Sequence, residues 1–118
     1  LPKSFAAKFR HTQVSPHAEG FVMRRFYLIS YDIPDDRRRA RVFKLMRGWG
    51  ERVQYSVFCC QLNPRERLEL IEELKMRMND GEDQTLIVEA GAVEGERPVP
   101  DITYVGKVWR PEQRSQIV

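Results

Sequence analysis

The sequence has little of what several large protein classes need. No apolar run approaches the roughly 18 residues of a membrane-spanning helix, so no bilayer span is expected in this chain. Cysteine is confined to one adjacent pair, Cys59 and Cys60. Neighbouring residues on a strand point to opposite faces, so a bond between these two is not expected. The setting that follows is reducing, and the expected location is cytoplasmic. Also missing are a glycine-rich loop ending in Lys-Ser or Lys-Thr, a Cys-x-x-Cys pair, a His-Glu-x-x-His motif and a Gly-x-Ser-x-Gly turn. Their absence removes support for P-loop nucleotide hydrolysis, structural zinc and triad catalysis. Histidine is equally sparse: His11 and His17 have no thiol beside them, a weak basis for a metal site.

What is present fits one folded unit. With 118 residues, 42% of them hydrophobic and 31% charged, the chain can bury one core but not two. The net charge is only +3, so the total says little about an anionic partner. The distribution says more. Arg37, Arg38, Arg39, Arg41, Lys44 and Arg47 follow one another without an acid among them, whereas residues 66–73 are predominantly acidic.

Residues 1–22 show no sustained helical or alternating period and are read as a flexible extension ahead of a domain spanning 23–118. From Arg25 an aromatic and β-branched run reaches Pro34, which predicts a buried strand ending at Asp32. Asp35 or Asp36 can cap the helix that follows, expected to run to about Trp49 with Val42, Leu45, Met46 and Trp49 on its apolar face and Arg37, Arg41 and Lys44 opposite. Residues 51–62 read as one bent strand or two short ones. Asn63 and Pro64 suit the cap and first turn of a second helix, expected to bury Leu68, Ile71, Leu74 and Met78. Further strands are expected over Thr85–Glu89 and Ile102–Val108. The order is that of a split βαβ sandwich, an α+β fold with helices on one face of an antiparallel sheet. The C-terminal residues, Ser115–Val118 included, exceed what that sandwich needs. An additional C-terminal strand would satisfy its backbone groups by pairing with the sheet edge of a neighbouring subunit in a symmetric dimer.

Asp32 stands out for its chemistry. A carboxylate ending an apolar strand either bears a desolvation penalty or meets a cation. Mg²⁺ prefers oxygen ligands, keeps several waters and takes only one or two carboxylates, so one Asp per chain suffices where two chains meet. The other reading, that Asp32 merely caps the turn before the helix, stays open. The basic face of Arg37, Arg39 and Arg41, extended by Arg38 and Arg52, suits phosphate neutralisation, although such runs are commonly just solvated. Tyr31 can hydrogen-bond a phosphate or pack, and Phe58 has the same ambiguity.

Two stretches, Ser-Tyr-Asp-Ile-Pro-Asp-Asp at 30–36 followed by Arg-Arg-Arg-Ala-Arg-Val, and Gly-Glu-Arg-Val-Gln-Tyr-Ser-Val-Phe at 50–58, resemble the CRISPR-associated protein two family in motif, order and spacing. The resemblance implies a ferredoxin-like βαββαβ homodimer in which Asp32 of each subunit faces its mate and coordinates Mg²⁺, or Mn²⁺ in its place. It implies roles in cleavage for Tyr31, Arg39, Arg41, Arg52 and Phe58, and Ser56 also matches the motif. Two activities are implied for such a chain: a metal-dependent endonuclease on RNA or double-stranded DNA, and a CRISPR adaptation subunit that grips duplex DNA through Arg37, Arg38, Arg39 and Arg41 between integrase subunits during spacer acquisition. A small ferredoxin-like toxin ribonuclease is a third possibility.

Overall fold

A computed structural model of the chain describes residues 23–109, so the expected N-terminal extension and Ser115–Val118 lie outside the described residues. The elements are β1 (Arg25–Asp32), α1 (Asp36–Arg47), β2 (Gly50–Gln54), β3 (Val57–Leu62), α2 (Pro64–Arg77) and β4 (Gln84–Ala92). They form a four-stranded antiparallel sheet in the order β2-β3-β1-β4, the ferredoxin-like arrangement in which β3 is inserted between β1 and β2. The expected stretch 51–62 is therefore two strands, joined by a tight turn at Tyr55 and Ser56.

The pleat of the two central strands divides the molecule. Tyr27, Ile29 and Tyr31 of β1 join Phe58, Cys60 and Leu62 of β3 in a core with Val42, Leu45, Met46 and Trp49 from α1 and its end, and Leu70 and Leu74 from α2. Phe26, Val53 and Cys59 point the other way, where Leu28, Val57 and Ala90 meet Val93, Val99 and Ile102 of the segment after β4. Cys59 and Cys60 thus lie buried on opposite faces with free thiols, as their adjacency dictates.

Both helices start on side-chain caps. Asp35 accepts a hydrogen bond from the Arg38 amide at 2.9 Å. At α2 the Asn63 side chain accepts from the Glu66 amide at 2.8 Å while the Glu66 carboxylate accepts from the Asn63 amide at 3.0 Å, a reciprocal capping box followed by Pro64. Glu66 is buried, and Arg24 neutralises it at 2.6 Å. This arrangement sets the phase of α2. With Glu66 inward, its i+4 and i+8 positions Leu70 and Leu74 are the buried ones, and Leu68, expected in the core, is 61% exposed. α1 ends two residues before Trp49, which still packs into the core through the turn made by Gly48.

The strand expected over Ile102–Val108 is not a strand in this chain; residues 101–109 are irregular. They run along β2 instead, with the Tyr104 hydroxyl donating to the Val53 carbonyl at 2.7 Å and Ile102 against the Val53 cluster. A side-chain bond and apolar packing serve here in place of a ladder. Two glycines are required by the backbone. Gly91 has φ +102° where the β1–β4 register shifts, and a Cβ on Gly50 would lie 2.4 Å from the Cys59 carbonyl oxygen and 2.6 Å from Cys60 Sγ.

Because the obstacle at Gly50 is backbone, Gly50→Ala should destabilise the fold by about 1–3 kcal/mol. The check is urea unfolding, where a lower midpoint at unchanged slope is expected and an unshifted midpoint would mean that β2 and β3 separate without cost.

Candidate functional site

Asp32 ends β1 on the face that carries Phe26 and Leu28, opposite the helices, with Gln84 of β4 as its cross-strand neighbour. It is exposed, so in a single chain it bears no desolvation penalty. Nor does it cap α1, since Asp35 does. No hydrogen bond or ion pair engages its carboxylate among the described residues. Around it the sheet face is uncovered: Leu86 and Val88 of β4 are 53% and 52% exposed.

The structure separates the five predicted arginines. Arg37 and Arg41 are exposed on α1, and Lys44 continues their row one turn on. No ion pair holds Arg37 or Arg41 among the described residues. Arg38 turns the other way and grips the α2–β4 loop. Its Nε and Nη2 donate to the two carboxylate oxygens of Asp83 at 2.8 and 3.1 Å, and Nη2 also donates to Glu82 at 2.8 Å. The Asp83 side chain is wholly inaccessible and accepts a further bond from the Asn79 amide. Bidentate pairing is the strong form of the carboxylate–guanidinium bond. Arg38, expected on a nucleic-acid surface, therefore serves as a structural clasp within this chain. The Arg38 guanidinium holds the Asp83 carboxyl below its ordinary range.

Arg39 folds back over the β1–α1 turn, donating to the Ile33 carbonyl at 2.9 Å and to the Asp36 carboxylate, while its Nε is buried without a partner. Tyr31 is 3% exposed and stacks on Phe58 with ring centroids 6.4 Å apart. Burial pushes its phenol up to about 12 despite the positive charges of Arg52 and Arg39 nearby, so it stays protonated across the neutral range. Its hydroxyl also lacks a partner. Phe58, at 1% exposure, is edge-on to Phe43 at 6.0 Å. Phe58, expected to meet nucleic acid or to pack, is enclosed by the core in this chain.

Arg52 projects from β2 on the helix side, opposite Phe58 in register. Its guanidinium lies 4.7 Å from the ring of Phe43 and 4.7 Å from that of Trp109, and it donates to the Tyr55 carbonyl at 2.7 and 3.1 Å. Phe43, Trp109, Glu82 and Asp83 were not legible as partners of the arginines, because each contact except that of Phe43 spans about half the chain or a loop the sequence leaves open. Asp32 and the Arg37–Arg41–Lys44 row, by contrast, lie on opposite sides of the sheet and do not form one cleft within a chain.

The Asp83 clasp has a pH signature. Because its folded-state affinity for protons is lowered, the stability it contributes is present above about pH 4, the ordinary carboxyl range, and is lost as pH falls through the lowered value. Asp83→Asn should be less stable than the parent at pH 7 by thermal unfolding, with the gap closing in acid. Arg38→Ala should lower the melting temperature as well, while Arg37→Ala and Arg41→Ala should leave it unchanged.

Comparison with known proteins agrees with this architecture. Residues 23–94 match the family described as CRISPR associated protein Cas2. A protein of Geobacter sulfurreducens named CRISPR-associated endoribonuclease Cas2 is 33% identical over 81% of this chain and 99% of its own length. One of Thermus thermophilus, named CRISPR-associated endonuclease Cas2 2, is 42% identical over 70% of this chain and 94% of its own. The crystal structure of Streptococcus pyogenes Cas2 at pH 6.5 superimposes with a TM-score of 0.53 at 28% identity, over 56% of this chain and 86% of that one. With the motif-bearing strand and helix inside the matched region, the chain belongs to the CRISPR-associated Cas2 family.

Proposed function

We propose that the chain is the small adaptation subunit of a CRISPR system, a homodimer that binds double-stranded DNA next to an integrase subunit and cleaves phosphodiesters in a Mg²⁺-dependent reaction. The observation that carries this reading is Asp32: an exposed carboxylate with no partner among the described residues, beside an uncovered apolar sheet face. Leu86 and Val88 are the kind of surface a second copy covers, and an isologous contact places the patch that holds each residue against the same patch of its mate. Two Asp32 carboxylates would then approach across a two-fold axis.

The donor set fits magnesium only in such a pair. Among the described residues no group of three His, Cys, Asp or Glu side chains could hold a metal within one chain. One hard carboxylate per chain with open solvent around it suits an ion that keeps most of its waters. Bound there, the ion would supply water activation and stabilise charge on the phosphate. The chain's own residues do the rest. Asp32 offers an oxygen to the shared site, and Arg37, Arg41 and Lys44 neutralise backbone phosphates without reading sequence. Tyr31, protonated in the core behind Asp32, supports the strand end and is not a base.

A second reading, a DNA-binding scaffold without catalysis, is favoured by the separation of Asp32 from the basic row across the sheet. The names of the relatives, endoribonuclease for one and endonuclease for the other, leave RNA as the competing substrate.

Labelled duplex DNA and single-stranded RNA incubated with Mg²⁺ separate these readings. Asp32→Asn should abolish cutting, by about 100-fold or more, while leaving dimerisation and duplex affinity intact. Duplex binding without cutting by either protein would establish the scaffold, and cutting of RNA alone a ribonuclease. Duplex affinity should fall steeply with salt. Removing Arg41 should lower the slope of log K against log salt by about 0.9, one phosphate contact; an unchanged slope would remove that residue from the interface.

A further inference from the structure

The Arg52 guanidinium lies 4.7 Å from the rings of Phe43 and Trp109 and 5.6 Å from that of Tyr55, and the first two have different standing. Phe43 belongs to α1 and packs on Phe58, so its ring is part of the folded body. Trp109 arrives at the end of an irregular segment that runs along β2, and its ring lies at the same 4.7 Å distance from the guanidinium. The Tyr104–Val53 hydrogen bond is the nearest tie of that segment to the sheet.

The seat leaves donors unused. Among the described residues, three buried side-chain polar atoms have no hydrogen-bond partner: Tyr31 Oη, Arg39 Nε and Trp109 Nε1. Of these, Trp109 lies on Arg52 itself, and Tyr31 lies within electrostatic reach of it. An indole is thus a poor occupant of this place. It fills the stacking position but brings one more donor to a site already rich in them. Arg47, exposed and 5.6 Å from the Phe43 ring, adds a cation at the rim.

A flat π-system with acceptor atoms on its edge and an attached anion would fit better. Unpaired nucleobases have this chemistry: their faces stack on guanidinium and aromatic planes, their edges accept hydrogen bonds, and their phosphates seek a nearby cation. A base paired inside a duplex cannot offer its face. We propose that Trp109 occupies a base-stacking seat on Arg52, so that the C-terminal segment and an unpaired nucleobase of a single strand compete for one guanidinium face. The proposal rests on the reading that the chain binds nucleic acid, and adds a single-strand subsite distinct from the Arg37–Arg41–Lys44 row.

The test uses the full chain in the presence of a chelator, with a labelled single-stranded oligonucleotide and a hairpin-closed duplex of the same sequence. Trp109→Ala should bind the single strand about tenfold tighter than the parent and the duplex equally, with Arg52→Lys added to Trp109→Ala cancelling the gain. In the parent, saturation with single strand should shift tryptophan emission to the red as Trp109 leaves its seat. Trp109→Phe, which retains only the buried Trp49, should show no shift. Duplex binding with no emission shift in the parent and no gain in Trp109→Ala overturns the seat and leaves the duplex reading standing. Failure of the parent and of Trp109→Ala to bind either nucleic acid overturns both.

Discussion

Everything placed near the proposed centre depends on the pleat of β1. A strand sends successive side chains to opposite faces, and one face of β1 is packed in the helix-side core. Tyr31 therefore enters the helix-side core, and Asp32 must emerge on the opposite face. A shift of one residue would exchange them, burying a carboxylate among leucines and exposing a phenol. The apolar cost of that exchange pins the register, and with it the position of the one strand-end carboxylate that stays uncommitted.

The arginines obey a different rule, the competition between hydration and pairing. Neighbouring residues on α1 differ by about 100° in direction, so Arg37, Arg38 and Arg39 cannot share a surface. Arg38 points at the α2–β4 loop, where the inaccessible Asp83 carboxylate requires a partner, and Arg39 points back at the carbonyls of the turn it follows. Each is spent on holding the chain together. Arg37, Arg41 and Lys44, whose helical phase leads away from the protein, keep their charge in solvent. An unbroken basic run thus yields a narrow basic stripe.

The two sheet edges are treated unequally. β2 is wrapped by the C-terminal segment, through Ile102, Tyr104 and Trp109, which blunts its capacity to pair. Among the described residues β4 has no strand on its outer side, and its Leu86 and Val88 stand exposed on the face shared with Asp32. The side of the molecule with the uncommitted carboxylate is also the side most prepared to meet another chain.

Much of this was written locally in the sequence. The end of β1 at Asp32 before Pro34, the apolar stripe Val42–Leu45–Met46, the Asn63–Pro64 start of α2 and the opposed cysteines follow from steric and periodic rules that act within a few residues, and the structure has each of them. What tertiary structure decided involved contacts between distant segments. Leu68 was displaced from the core by Glu66, whose inward pose depends on Arg24, 42 residues away. Arg38 was claimed by Asp83 at a separation of 45, and residues 102–108 ran along β2 as irregular chain because Tyr104 and Ile102 found partners there that local alternation does not reveal. The sequence alone determined which residues lie on which face of each element; it could not say which face would meet another charge, because that energy depends on a partner brought near only by the completed fold.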